Sequence, residues 1–327
     1  MAHKAKIHNN DNGKLTGTTY MFAGLNNIID PYNLPIDTGF LPIATNVDID
    51  NSNSIQRRSG FDTVITTTNS HSGWSNNDRA FYVEDTYLKE CISNDDIRII
   101  DVLTQPKRRM WYCQCNDVVA YSNGVDFGFS GGNFSQKRTY SPFFKENTKL
   151  GICLEFYNGR LYHAINNTIF CTDVFDLEHS DIRFKRVLTV RSSITMIRMV
   201  EDGLYVGSED QVHFLRGNDI QEGGFDLEIV TDYGCILGTD ISTTSDFFPE
   251  AKAKGLVIVW TSPRGICTGS NSGGFINHSY NIVSIPEATS GCAFLRDISG
   301  FRQYVVTLNS SSEYNPYPQP TFTVTTT

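Results

Sequence analysis

The chain has 327 residues, 39% of them hydrophobic and 12% aromatic, with 36 Asp and Glu against 27 Lys and Arg and a formal net charge of −9. That is enough apolar material for a sizeable core, and a charged fraction of only 19%, with much Asn, Ser, Thr and Gly, favours strands and tight turns over long solvent-facing helices. The acidic balance argues against a protein that wraps nucleic acid by neutralising phosphates, though a wall that repels phosphates lets DNA slide past; the longest apolar run, Leu256-Val-Ile-Val-Trp260 after Gly255, is far too short to span a membrane.

Residues 1–20 are polar and read as a flexible arm. No apolar stretch marks a signal peptide there, so the eight cysteines (Cys91, Cys113, Cys115, Cys153, Cys171, Cys235, Cys267 and Cys292) are expected to be free thiols buried in strands. Residues 21–78 form an N-terminal segment. Pro31, Pro35 and Pro42 impose an extended lead-in. Val47 and Ile49 then point one way while Asn46, Asp48 and Asp50 point the other, the period-2 pattern of a half-buried strand. Asn51-Ser52-Asn53-Ser54 is a turn by composition, and a second extended stretch carries Ile55, Arg57 and Arg58 to Gly60. The expectation is a hairpin that gathers carboxylates and guanidiniums on a surface, with 46–50 supplying a strand that closes the propeller or docks on a neighbour, and with Asn46, Asp48, Asp50, Arg57 and Arg58 as candidate subunit contacts; Arg can clamp a carboxylate with two bonds. Residues 63–78 read as loop.

Residues 79–314 repeat a strand, an Asn/Asp/Gly turn and a second strand. Leu161-Tyr162 aligns with Leu204-Tyr205 at an offset of 43, which also sets Asn166-Asn167 on Glu209-Asp210. Tyr112 with Asn116-Asp117 fits the same template, Gly265, Gly269 and Ser270 match a further copy, and weaker copies lie at 88–100 and 302–314. Asn and Asp tolerate the positive φ that such turns need. A period near 43 is that of four-stranded propeller blades. The fold class expected is therefore all-β, a β-propeller-like array of antiparallel hairpins, with irregular insertions because the copies are separated by about 50, 43 and 62 residues. Only 249–254 and 173–181 look briefly helical. Residues 315–327, with Pro316, Pro318 and Pro320, read as an extended tail.

No catalytic set emerges. Gly124-Val-Asp-Phe-Gly-Phe-Ser-Gly-Gly132 lacks the lysine of a phosphate loop. Cys113-Gln-Cys115 has no second ligand pair at zinc spacing. The paired acids Glu201-Asp202, Glu209-Asp210 and Asp95-Asp96 fall at turns, where solvation alone accounts for them. A non-enzyme without cofactor or metal is expected.

Gly24-Leu-Asn-Asn27, then Ala44-Thr-Asn-Val-Asp-Ile-Asp50 and Arg57-Arg-Ser-Gly-Phe61, resembles a pattern in the tail nozzle, or DNA-stabilisation tail accessory, proteins of short-tailed bacteriophages. The stretches 203–217 and 260–269 are similar to that family too. A glycine usual in the turn before the arginines is replaced by Asn53-Ser54. The resemblance implies a propeller-like virion protein, assembled in the host cytoplasm into a homo-oligomeric ring that meets other tail or portal and adaptor proteins. Double-stranded DNA would be retained by it and pass its lumen without sequence-specific binding. A carbohydrate- or receptor-binding adhesin at the tail tip is the alternative, and a glycosidase a more distant one.

Overall fold

A computed structural model describes residues 22–310, apart from 36–37, 50–52, 61–62, 64, 77, 94–95, 132–143, 182, 184–186, 218–219, 221–224 and 299, together with the backbone of 7–9 and 15–17. The described chain is an all-β, propeller-like array of antiparallel sheets. Six units follow one another. Unit 1 comprises Ser70–Ser75, Ala80–Glu84, Tyr87–Ser93 and Asp96–Val102; unit 2 has Trp111–Cys115, Val118–Ser122 and Phe127–Ser130. Unit 3 is Ile152–Tyr157, Arg160–Ile165, Thr168–Cys171 and Val187–Thr189, and unit 4 is Ile194–Val200, Gly203–Ser208, Val212–Gly217 and Phe225–Thr231. Unit 5 is Ile241–Thr244, Leu256–Ser262, Gly265–Ser270 and Gly274–Asn277, while unit 6 is the long hairpin Ala288–Ile298 with Phe301–Ser310. Their first strands begin 41, 41, 42, 47 and 47 residues apart, more evenly than the sequence copies suggested.

Local chemistry sets the turns. Glu84 and Tyr87, Cys115 and Val118, Tyr157 and Arg160, and Ile165 and Thr168 pair across two-residue loops. Each loop opens on an Asx residue at positive φ: Asp85, Asn116, Asn158 and Asn166. Asn158-Gly159 has both residues there, φ 49° and 76°, the type I′ geometry whose twist matches the flanking strands.

The core lies between units. Unit 1 meets unit 2 through Phe81, Val83, Leu88, Tyr112, Val119 and Tyr121. Units 2 and 3 share Cys113, Ala120, Leu154 and Leu161; units 3 and 4 share Tyr162, Ile169, Ile197, Leu204 and Leu215. Units 4 and 5 share Met196, Tyr205, Phe214, Ile258 and Trp260. Leu161 thus packs back on the preceding unit and Tyr162 forward on the next, and Leu204 and Tyr205 repeat that division one unit later. The recurring Leu-Tyr is the mark of a strand buried on both faces, where each side chain contributes on the order of 1.5–3 kcal/mol. Tyr112 does not belong to this register. It lies on the first strand of its sheet and faces the preceding unit, so its match to Tyr162 slips by one strand.

Three further readings change. Ser70–Ser75, taken as loop, is the first strand of unit 1. Asn309 and Ser310 lie in the strand Phe301–Ser310 and not in a turn, and 311–314 lie outside the described residues. Of the two helical candidates, Pro249–Ala251 is a 3-10 turn and 173–181 ends in the strand His179–Asp181, paired with Lys145–Asn147. The arm, 1–20, contributes an antiparallel pair, Ile7–Asn9 with Leu15–Gly17; the tail, 315–327, lies outside the described residues. Six cysteines are buried free thiols, Cys91 is partly buried and Cys292 exposed. No helix among the described residues is long and apolar enough to cross a membrane.

His163, buried in unit 3, gives a pH signature. Its Nδ1 accepts from the Gly151 N–H at 3.1 Å, which leaves the proton of the neutral ring on Nε2. Burial lowers its pKa from 6.5 to about 4. Below pH 6.5 the unfolded chain binds a proton that the folded chain does not, so stability present above that pH is lost as pH falls through about 4. A loss of about 2 kcal/mol between pH 7 and pH 5 is expected from this residue. Urea melts of the parent and of His163→Gln should differ in slope over that range; parallel curves would refute the assignment.

Candidate functional site

Two polar assemblies are built into the array. The first lies where the first strands of consecutive units converge. Cys113 stands opposite Ala120 in unit 2, Glu155 opposite Tyr162 in unit 3 and Arg198 opposite Tyr205 in unit 4. Asp240 immediately precedes the first strand of unit 5. These four residues are spaced 42, 43 and 42 apart, one per unit. Arg198 Nε donates to Asp240 Oδ2 at 2.7 Å, its terminal nitrogens to Glu155 Oε2 at 3.5 Å and to the Asp240 carbonyl at 3.3 Å. Burial pushes the Glu155 carboxyl above its usual range, outweighing Arg198. Burial also opposes the charge of Arg198, but the Asp240 and Glu155 carboxylates overcome it and keep the guanidinium protonated. Arg109, entering unit 2, completes the convergence. It donates to the carbonyls of Gly291 in unit 6 at 2.6 Å and of Gly238 at 3.2 Å.

The second assembly joins the N-terminal segment to the far end of the chain. Gly24–Leu25 pairs in parallel with Phe40–Leu41. Asn27 then receives the Ser284 N–H at 2.7 Å and donates its backbone N–H to the Ile282 carbonyl at 3.2 Å. Val47–Ile49 pairs antiparallel with Ile55–Arg57, as the sequence predicts, and Asn46 and Asn53 turn the chain at φ 55° and 58°. The faces are reversed, however. Val47 and Ile49 are half-buried, whereas Asp48 is 6% exposed.

Asp48 is held there by guanidiniums. Arg296 of unit 6 lies 3.2 Å from Oδ2, Arg58 lies 3.1 Å from Oδ1, and Gln303 donates to Oδ1 at 3.4 Å. Burial alone would raise the Asp48 pKa; hydrogen bonds from Arg58 and Gln303 and the charges of Arg58 and Arg296 outweigh it and hold the carboxyl below 3.8. The expected surface cluster is therefore a lock inside the molecule. Of the predicted contact residues, Asp48 and Arg58 come together directly, and the Asn46 carbonyl accepts the Arg58 N–H at 3.1 Å. Arg57 is exposed beside them, opposite Val47. Asp50 lies outside the described residues.

The paired acids serve turns. Asp202 accepts the Ser272 N–H on both oxygens at 2.9 Å, Glu201 accepts from Asn271 at 3.0 Å, and Asp210 accepts from Ser208 at 2.9 Å; Asp95 lies outside the described residues. Cys113 and Cys115 are buried, and hydrogen bonding between them together with burial drives the Cys113 thiol well above its usual pKa. Among the described residues no group of three or more His, Cys, Asp and Glu is placed to hold a metal ion.

No protein-family model matches the chain, and no curated protein matches it. Solved structures similar to it include the extracellular domain of a hybrid two-component system protein from B. thetaiotaomicron, at 8% identity and TM-score 0.44; the match covers 73% of this chain and 32% of that one, about a third of its length. The N-terminal domain of Nup159 matches at 9% identity and TM-score 0.44, over 72% of each chain. Kluyveromyces lactis Hsv2 matches at 12% identity and TM-score 0.38, over 71% of this chain and 83% of that one. Likeness at this level carries no function across.

Proposed function

We propose that the chain is a structural component of a bacteriophage tail, one subunit of a ring-shaped nozzle that retains packaged DNA and passes it during ejection. The observation that carries this reading is the use made of the N-terminal motif. Its Asp48 locks the segment onto unit 6, while Arg57 stands exposed beside the lock, where a neighbouring subunit's carboxylates could meet it. Another charged group also works in a joint: Arg79 ties Glu90 of unit 1, at 2.5 Å, to the Ser130 carbonyl of unit 2, at 2.7 Å. Side-chain bonds of 2.6–3.5 Å join units 3, 4 and 5 and tie Arg109 to unit 6. In this reading the DNA lumen lies between the subunits of a closed ring, made by heterologous contacts.

The ring would sit with other tail, portal or adaptor proteins in the virion after assembly in the host cytoplasm. An image of the particle with this chain labelled tests the reading: density as a ring on the tail axis supports it, and isolated copies off the axis would overturn it. Replacing Arg57 and Arg58 together with alanine should reduce incorporation into particles at least tenfold. The urea stability of the isolated chain should fall by less than about 1 kcal/mol, since Arg58 is an exposed partner. Undiminished incorporation would restrict the motif to joining the chain's own ends.

A further inference from the structure

The described chain ends in a sheet edge without a partner among the described residues. In unit 6 the strand Ala288–Ile298 is flanked on its far side, where Leu237 bridges Ser290 and accepts the Gly291 N–H at 2.8 Å. Among the described residues the backbone ladder of Phe301–Ser310 pairs only with Ala288–Ile298, and no other backbone group pairs with 301–309. The outer strands of units 2, 3 and 5 are uncharged but only 4, 3 and 4 residues long, and those of units 1 and 4 are guarded by charge, reading Asp96-Ile-Arg-Ile-Ile-Asp-Val102 and Phe225-Asp-Leu-Glu-Ile-Val-Thr231. Such charges deter strand addition. From Gln303 to Ser310 the unit 6 edge reads Gln-Tyr-Val-Val-Thr-Leu-Asn-Ser, with none. An edge uncharged beyond Arg302, whose outward ladder groups have no backbone partner among the described residues, is a template for one more strand.

The sequence beyond it supplies a match. Residues 321–327 read Thr-Phe-Thr-Val-Thr-Thr-Thr, uncharged and almost wholly β-branched, with Phe322 and Val324 on one face by period 2. Ten residues, 311–320, separate this segment from the edge, and they include Pro316, Pro318 and Pro320. A return onto the chain's own edge calls for a turn of about 2–5 residues. Alternating prolines instead favour an extended spacer of about 3.1 Å per residue that carries the segment away. We propose that residues 321–327 of one copy add as a strand to the open edge of Phe301–Ser310 in a neighbouring copy. The neighbour's existence rests on the ring reading above; repeated around a ring, this is a heterologous contact that closes.

The test compares the full chain, a chain lacking residues 321–327, and Val324→Pro, which removes a ladder donor from the added strand. Native mass spectrometry reads oligomer size, and hydrogen exchange reads the amides of residues 303–308 against those of 204–206, a core reference for folding. The intact chain should be oligomeric. Both variants should dissociate at protein concentrations at least tenfold higher than the intact chain and lose at least tenfold protection at 303–308, with 204–206 unchanged. Oligomers equally stable in all three chains overturn the proposal. So does lost protection without a change in oligomer size, which would mean that the segment pairs within its own copy, and so does an intact chain that is monomeric at every concentration. A truncated chain that still takes its place in a tail ring would sink the strand exchange alone and leave the tail reading standing; absence of the intact chain from the tail axis would sink the tail reading.

Discussion

Replacing Arg198 with alanine should destabilise the chain by roughly 3–4 kcal/mol, within the range for removing one partner of a buried ion cluster. The reason is what remains. The side chains of Glu155 and Asp240 are 9% and 10% exposed, and both would lose their cation. Glu155, already pushed above its usual range by burial, and Asp240 would then have to be kept charged without a partner or take up a proton, and either costs stability. Arg198 itself is 24% exposed, which places the estimate below the upper end of that range. The contrast that isolates the mechanism is a triple variant, Glu155→Gln, Arg198→Met and Asp240→Asn, which removes every charge at similar volume and should recover most of the loss. Urea unfolding of both variants decides it. A loss below about 1 kcal/mol for Arg198→Ala would mean that the cluster is solvated and does not hold units 3, 4 and 5 together.

The sequence disclosed the fold more readily than the cluster, for identifiable reasons. Leu161-Tyr162 and Leu204-Tyr205 are legible because both faces of their strands are buried, so both side chains are constrained and the pair recurs. Asn116 and Asn166 are legible because a two-residue loop needs positive φ, which few residue types tolerate. Tyr112 misled because a strand and a following Asn turn look alike wherever they fall in a sheet; only the neighbouring unit distinguishes a first strand from a second. The spacing of Cys113, Glu155, Arg198 and Asp240 was a signal present in the sequence. It is obscured because a single charge in a short strand reads as a solvent-facing position, and only its recurrence at the repeat period shows that the charges face one another. The same limit hides the burial of Asp48. Periodicity gives two faces but does not say which is covered, and the residue that covers this one, Arg296, lies 248 positions away.

Asp48→Ala should cost roughly 2–3 kcal/mol, since it removes hydrogen bonds to a buried charged group, and it should loosen the N-terminal segment before the array melts. Three donors converge on this carboxylate from both ends of the chain, Arg58 from the segment and Arg296 and Gln303 from unit 6. They do not contribute equally. The Arg296 side chain is 10% exposed and that of Arg58 42%, so solvent screens the Arg58 pair far more. Double-mutant cycles should therefore give a coupling of roughly 1–3 kcal/mol between Asp48 and Arg296, and below about 1 kcal/mol between Asp48 and Arg58. Limited proteolysis should cut within residues 22–60 at least tenfold faster in Asp48→Ala than in the parent. The pH dependence has a fixed sign: because the folded pKa lies below 3.8, the contribution is fully present above that value and disappears as pH falls through the depressed one. If the Arg58 cycle gave the larger coupling, Asp48 would belong to a local hairpin contact, and the two ends of the chain would be joined chiefly by Asn27 and Ser284.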